Sequence, residues 1–183
     1  MKVIAISALS GGGKTTLTKA LLSRLPGARA LHFDDIPGRL LPMDYCEWSE
    51  AGADYSQWNL SALEDGLRRL LSEKPAYILV DYPFGGAHPA IAPYLACALW
   101  IDTPLDIALA RHILRDYLRR DPARRAIENP MAHLEHTLDF YLARHRRAAL
   151  VHEATVRPTC DFILDGTLPL AEMAEQAARH IAL

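Results

Sequence analysis

Residues 2–19 read KVIAISALSGGGKTTLTK, and this stretch decides how the rest of the chain is read. Val3, Ile4 and Ile6 make an apolar run without polar alternation, the pattern of a parallel strand buried on both faces. Gly11, Gly12 and Gly13 then form a turn whose backbone can adopt conformations, and approach a ligand, in ways that side chains obstruct. A helix opens near Lys14, Thr15 and Thr16. Strand, glycine turn and helix N-terminus together make an anion cradle. Loop N–H groups point inward, the helix adds unpaired donors and its positive dipole end, and Lys14 adds a mobile cation. The Thr15 hydroxyl is placed to ligate Mg²⁺. The reading is a phosphate-binding loop for a nucleoside triphosphate, with Gly11, Gly12, Gly13, Lys14, Thr15 and Thr16 as its binding residues. It departs from G-x-x-x-x-G-K-[ST] only at Ala8, which stands where the pattern has its first glycine.

Two further apolar runs deliver carboxylates to the same edge. Residues 28–33 lead into Asp34 and Asp35, and residues 77–80 lead into Asp81. Ligands of open α/β sheets bind where strands end, and an apolar strand carrying an aspartate after a phosphate loop suits the metal side of a nucleotide site. Asp81 is therefore the expected metal-side carboxylate, beside Thr15. Runs at 96–101 and 161–165 complete five predicted strands, with the others at 2–7, 29–33 and 76–81. Helical spacing of apolar residues appears at 16–25, 60–71, 105–120, from Asn129 to about residue 153, and 168–181. Alternating strands and helices, with strands apolar throughout, predict an α/β fold: a five-stranded parallel sheet with helices on both faces.

Several local features carry their own expectations. Asp102 or Thr103 can cap the helix that Pro104 starts, and Asn129 precedes Pro130 as a second cap. Met131, Leu134, Leu138 and Leu142 recur as a core-facing seam. Arg111, Arg115 and Arg119 recur every four residues, and Arg120, Arg124 and Arg125 continue the basic run. Such a cluster can close over a triphosphate as a lid around residues 111–128, or form a solvated face with Asp116 and Asp121 pairing locally. Residues 36–59 read as a long irregular loop with Pro37, Gly38, Pro42 and Gly52. Its aromatics, Tyr45, Trp48, Tyr55 and Trp58, either stack on a base or pack the loop onto the body. His133, His136, His145 and His152 lack a metal-binding pattern and read as surface or packing residues.

Composition narrows the class. A chain of 183 residues, half of them apolar, fits one domain across residues 1–183 with a sizeable core. A net charge of -2 gives no overall pull towards nucleic acid or an anionic membrane. Cys46, Cys97 and Cys160 are widely spaced with no C-x-x-C, which suits a reducing cytoplasm. No apolar run approaches the roughly 18 residues needed to span a bilayer, and the N-terminus is too short in apolar residues for a signal peptide. The expected protein is cytoplasmic, a monomer or homodimer, acting on a small molecule without nucleic acid or membrane as partner.

With these residues in view, the chain resembles the uridine kinase and nicotinamide riboside kinase group of P-loop kinases over most of its length. The resemblance is carried by GGGKTTLTKAL, the aspartate pair beginning 20 residues beyond Lys14, ILVDYPF, DTPLDIALARHILRD and VRPTCDFILDG. The fourth segment resembles the arginine lid of uridine kinases and the fifth their adenine-side segment. The resemblance implies the three-layer P-loop NTPase fold, ATP and Mg²⁺, and transfer of phosphate to a small-molecule hydroxyl, most simply that of a nucleoside. It implies Asp34 as general base, with Asp35 as the alternative, and Asp81 as the metal-side carboxylate. Lys14, Arg111 and Arg115 would act on the transferring group. Tyr55, Asn59 and Asp35 are candidates for acceptor contact, although Asn59 stands where the riboside kinases have an acidic ribose contact and His112 replaces the second arginine of the lid pair. Two other readings remain at this stage: a nucleoside monophosphate kinase, with Arg39 and Arg144 to Arg147 near the acceptor phosphate, or a regulatory NTP-binding protein.

Overall fold

The computed structural model describes residues 1–36, 41, 43–119 and 129–182. Five parallel strands are formed by β1 (Lys2–Ser7), β2 (Ala28–His32), β3 (Tyr77–Asp81), β4 (Cys97–Asp102) and β5 (Phe162–Asp165). Their order across the sheet is β2-β3-β1-β4-β5, which sets the phosphate-loop strand at the centre, between β3 and β4. The predicted strands therefore all form, shifted by at most a residue or two at their ends.

Alternation along each strand divides the core into two layers, because successive side chains of a strand leave opposite faces. Val3, Ala5, Ile78, Val80, Ala98 and Trp100 face one way and pack with α3 (Ser61–Ser72), through Leu63 and Leu67, and with α6 (Arg146–Val156), through Ala149 and Val156. Ile4, Ile6, Leu79, Leu99 and Ile101 face the other way and pack with α1 (Lys14–Leu22), through Leu17 and Leu21, and with α7 (Leu170–Ala182), through Met173, Ala174 and Ala177. These are the helices on both faces that the sequence predicts. Burying each of these leucines removes apolar surface worth about 1.5–3 kcal/mol, so the two layers supply most of the drive to fold.

Four local expectations are corrected. The segment after β2 is not loop throughout: it contains α2 (Tyr45–Glu50), capped by Asp44, whose Oδ1 accepts from the N–H groups of Cys46 at 2.9 Å and Glu47 at 3.2 Å. The helix is only six residues long, too short to show a periodicity. Neither Asp102 nor Thr103 caps α4 (Leu105–Ile113): Pro104 takes the cap position with no side-chain cap bond. Asp102 pairs instead with Arg157 at 3.1 Å, and Thr103 donates to the Gly12 carbonyl at 3.0 Å. The helix from Asn129 does form, as α5 (Pro130–Phe140), a π-helical turn Tyr141–His145 and then α6, but its seam does not face the core. Met131 and Leu142 are each 74% exposed, and α5 has no buried residue. Helical spacing identifies a stripe; it does not say that anything lies against it. Finally, α4 gives way to a π-helical turn at Leu114–Leu118, so the four-residue spacing of the arginines does not keep them in one row. Arg39, Arg120, Asp121, Arg124 and Arg125 lie outside the described residues, as do Pro37, Gly38 and Pro42.

Candidate active site

The loop after β1 closes as the sequence predicts, and each glycine has a separate reason to be there. Gly13, the residue before α1, has φ 101°, a left-handed conformation that L side chains rarely adopt. Gly11 has φ 80°, and a Cβ there would lie 2.1 Å from the Ala108 carbonyl oxygen of α4. A Cβ on Gly12 would lie 2.6 Å from the methyl of Ala8. This accounts for the irregular position: the Ala8 methyl is fully buried, and the backbone opposite must be bare to admit it. Gly12 donates to the Leu9 carbonyl at 3.0 Å, and the first intrahelical bond runs from Leu17 to Gly13 at 2.9 Å. The N–H groups at the very start of α1 are therefore the ones left for an anion.

Lys14 Nζ lies over the loop, donating to the carbonyls of Ala8 at 3.0 Å and Leu9 at 3.3 Å. Burial lowers its pKa, while Asp81 and then Asp34 pull it back up, and Arg115 pushes it down. Burial leaves this cation partly stripped of water, with the carboxylates of Asp81 and Asp34 as the groups that favour its charge. The charges that act on Lys14 come from three different elements: the end of β3, the 3₁₀ turn Phe33–Asp35 after β2, and the turn that follows α4.

Asp81 ends β3 and is 5% exposed. Its Oδ2 accepts from the Thr15 hydroxyl at 2.7 Å and lies 2.9 Å from His32 Nδ1. A hydroxyl and a carboxylate meeting beside a phosphate cradle are hard oxygen donors, the set that fits Mg²⁺; Thr15 and Asp81 are the residues that would hold it. His32 was not singled out by the sequence. It carries no motif, and the signal that finds it is the strand register, which pairs His32 with Asp81 across β2 and β3.

Asp34 and Asp35 are both exposed. The charge of Asp34 acts on Lys14 and on Arg115. The two arginines expected to form a lid, Arg111 and Arg115, separate. Arg115 grips Asp116 through Nε at 2.8 Å and Nη2 at 2.7 Å, with His112 Nδ1 3.1 Å away. Arg111 instead donates to the Gly166 carbonyl at 3.1 Å, in the turn after β5. His112 is pushed towards its neutral form by burial, and so is His145, on which His112 also acts.

The remaining acceptor candidates are occupied in other ways. Tyr55 is 5% exposed, with its hydroxyl 3.1 Å from His152 Nδ1. Asn59 Oδ1 accepts from the N–H of Ser61 at 3.1 Å and from its hydroxyl at 2.8 Å, closing the start of α3. Trp48 is 1% exposed and packs edge-on against Tyr55 and Trp58, which in turn reach Phe84 and Phe33. Of the two roles open to these aromatics, the described ones pack the segment onto the body. His152 sits within this cluster, its Nε2 2.9 Å from the Pro83 carbonyl, and burial lowers its pKa to about 4. Arg144 pairs with Glu50 at 3.1 Å.

No family model matches the chain. Over 86 residues it is 34% identical to nicotinamide riboside kinase 2 of Mus musculus and, over the same length, 31% identical to that of Homo sapiens. The match covers 47% of this chain in both cases, and 41% and 35% of the relatives, so the chain spans less than half the length of these proteins. Among solved structures, a shikimate kinase from Acinetobacter baumannii in complex with shikimate superposes with a TM-score of 0.53 at 16% identity, over 100% of this chain and 93% of that one. A sugar kinase from Janibacter gives 0.56 at 15%, covering 100% and 95%, and a tunicamycin resistance protein from Deinococcus radiodurans 0.52 at 19%, covering 100% and 96%. Identities this low speak to the fold alone. The strand order and the glycine loop carrying Lys14 and Thr15 belong to the fold that these kinase structures share, and over 86 residues the chain is similar in sequence to nicotinamide riboside kinase 2.

Proposed function

We propose that the protein is an ATP-dependent phosphotransferase that phosphorylates a hydroxyl group of a small molecule, nucleoside-like in kind. The observation that carries this reading is the convergence of Lys14, Asp81, Asp34 and Arg115 on one electrostatic neighbourhood at the carboxyl edge of the sheet. The partial match to riboside kinases favours a nucleoside over other hydroxyl acceptors.

In the proposed reaction the acceptor oxygen forms a bond to the γ-phosphorus as the bond to the β-phosphate oxygen breaks, leaving ADP. Lys14 and the first N–H groups of α1 hold the β- and γ-phosphates. Asp34 orients the acceptor hydroxyl and takes its proton. Arg115 exchanges Asp116 for phosphate oxygens, offering planar paired donors to the charge of the transition state and closing the site to water. Arg111, tied to the turn after β5, holds the lid to the nucleotide side. Thr15 and Asp81 would hold Mg²⁺, which would supply charge neutralisation on the phosphates. Asp34 is favoured over Asp35 because its charge reaches both Lys14 and Arg115. The lid is part of this proposal, and its segment 120–128 lies outside the described residues.

The test is a screen of nucleosides and sugars for acceptor-dependent ADP release, with Asp34→Asn beside the wild type. The substitution is expected to lower transfer by roughly a hundred-fold or more while nucleotide affinity stays within about two-fold, as for loss of a general base. Transfer that survives in Asp34→Asn, or a wild type that no acceptor stimulates, would overturn the reading.

A further inference from the structure

His32 lies on the last position of β2, and the register sets it directly beside Asp81. Partners in register on neighbouring strands send their side chains to the same face, about 4.8 Å apart, so an imidazole here must meet the carboxylate or turn away from it. It meets it: Nδ1 lies 2.9 Å from Oδ2, with the His32 side chain 24% and the Asp81 side chain 6% exposed. Against a carboxylate oxygen, Nδ1 is the nitrogen that carries the proton. The Thr15 hydroxyl donates to the same Oδ2 at 2.7 Å, so one oxygen takes both bonds and Oδ1 is left outside this network. The three residues come from β2, β3 and α1, and all lie on the α1 side of the sheet, since Ala30 and Leu79, two positions before His32 and Asp81, pack in that layer.

Thr15 and Asp81 are the residues that would hold Mg²⁺. If Thr15 turns its oxygen towards the ion, the carboxylate loses or weakens one of the two hydrogen bonds it accepts from the described residues, and the bond from His32 stays. We propose that His32 is a positioning residue for the metal site: its N–H holds the Asp81 carboxylate in the orientation that receives Mg²⁺ with the nucleotide. Groups that orient a metal-side ligand in this way typically change metal affinity roughly 10–100-fold when removed. This inference rests on the proposed nucleotide site.

The experiment measures binding, without turnover. A fluorescent ATP analogue is titrated at fixed concentration with MgCl₂, and separately titrated in EDTA, for wild type, His32→Leu and His32→Asn. His32→Leu is expected to raise the half-saturating Mg²⁺ concentration about ten-fold, with affinity in EDTA changed by less than about two-fold. His32→Asn, which keeps a side-chain N–H, should recover at least half of that shift on a logarithmic scale. A His32→Leu curve superimposable on the wild type overturns the inference, and so does equal weakening with and without Mg²⁺, which marks a general disturbance of the site. Failure of His32→Asn to recover any of the shift also overturns it, because packing and not the hydrogen bond would then be what matters. If thermal melting shows that His32→Leu does not fold, His32→Ala takes its place, with the same expected shift of about ten-fold and the same overturning outcomes. A wild type whose nucleotide binding ignores Mg²⁺ removes the nucleotide reading, and this inference with it.

Discussion

From β1 into α1, each residue does what its type and its nearest neighbours dictate: an apolar strand, glycines where the backbone is left-handed or crowded, then a lysine and a threonine at a helix start. Between β2 and α3 the opposite holds. Trp48, Tyr55 and Trp58 have the composition of a ligand-stacking loop, yet they lie in a cluster with Phe33, Phe84 and His152 that no local pattern foretells. The polar residues of the first region, Lys14 and Thr15, stand on a rigid element whose apolar residues belong to the core, and these two are expected to matter more for function than for stability. The second is a core built from an irregular segment, and the relation reverses.

Substitutions on each side can break that contrast. On the phosphate side, Lys14→Ala is expected to lower kcat/KM roughly a thousand-fold or more, in the range for loss of a preorganised charge on a transferring phosphoryl group. Because burial opposes the charge of Lys14, the same variant should unfold at an unchanged or higher urea concentration. A large loss of stability in Lys14→Ala would mean that the loop is held by its lysine and would erase the distinction. On the other side, Trp48→Ala should cost about 3–4 kcal/mol in urea unfolding, as for truncation of a buried large aromatic. Its folded fraction should still bind the ATP analogue with near-native affinity; loss of binding in step with packing would instead join the two regions.

A smaller effect sharpens the comparison. His152 is held neutral within the aromatic cluster, its pKa lowered from 6.5 to about 4. A depressed histidine pKa means that the unfolded chain binds the extra proton first as the solution is acidified. Its contribution is therefore fully present above pH 6.5 and is lost as pH falls towards 4. Between pH 7.5 and 5 the expected loss is about 2 kcal/mol from this residue. His88, His112 and His145 are shifted in the same direction by burial and add to the slope. The residue-specific measure is the difference in slope between wild type and His152→Asn across that range. Parallel slopes would place the acid sensitivity outside the aromatic cluster.

How much of this was legible depended on whether a residue's role is set by its neighbours in sequence or by those across the sheet. The carboxyl-edge carboxylates could be read because a strand must end somewhere, and a polar residue at the end of an apolar run marks the place. Asp81 was found in this way and lies against Thr15 at 2.7 Å. The short α2 escaped because a helix of six residues has too few turns to repeat a pattern. Thr103 suited a cap by its place before Pro104, but its hydroxyl was within reach of the Gly12 carbonyl, a partner from a loop 91 residues earlier. The α5 seam misled for the complementary reason: Met131 and Leu142 keep the right spacing, and spacing says nothing about what a helix faces.

The sequence by itself therefore determined the alternating parallel sheet, the phosphate cradle and the aspartates at the strand ends, since each depends on residues a few positions apart and on the stiffness of the backbone that joins them. Only the tertiary structure decided that His32 stands beside Asp81, that Arg111 and Arg115 go to different partners, and that Tyr55 belongs to the core. Those outcomes are set by strand register, by a π-helical turn and by packing between distant segments, and such interactions have no counterpart in the linear order of residues.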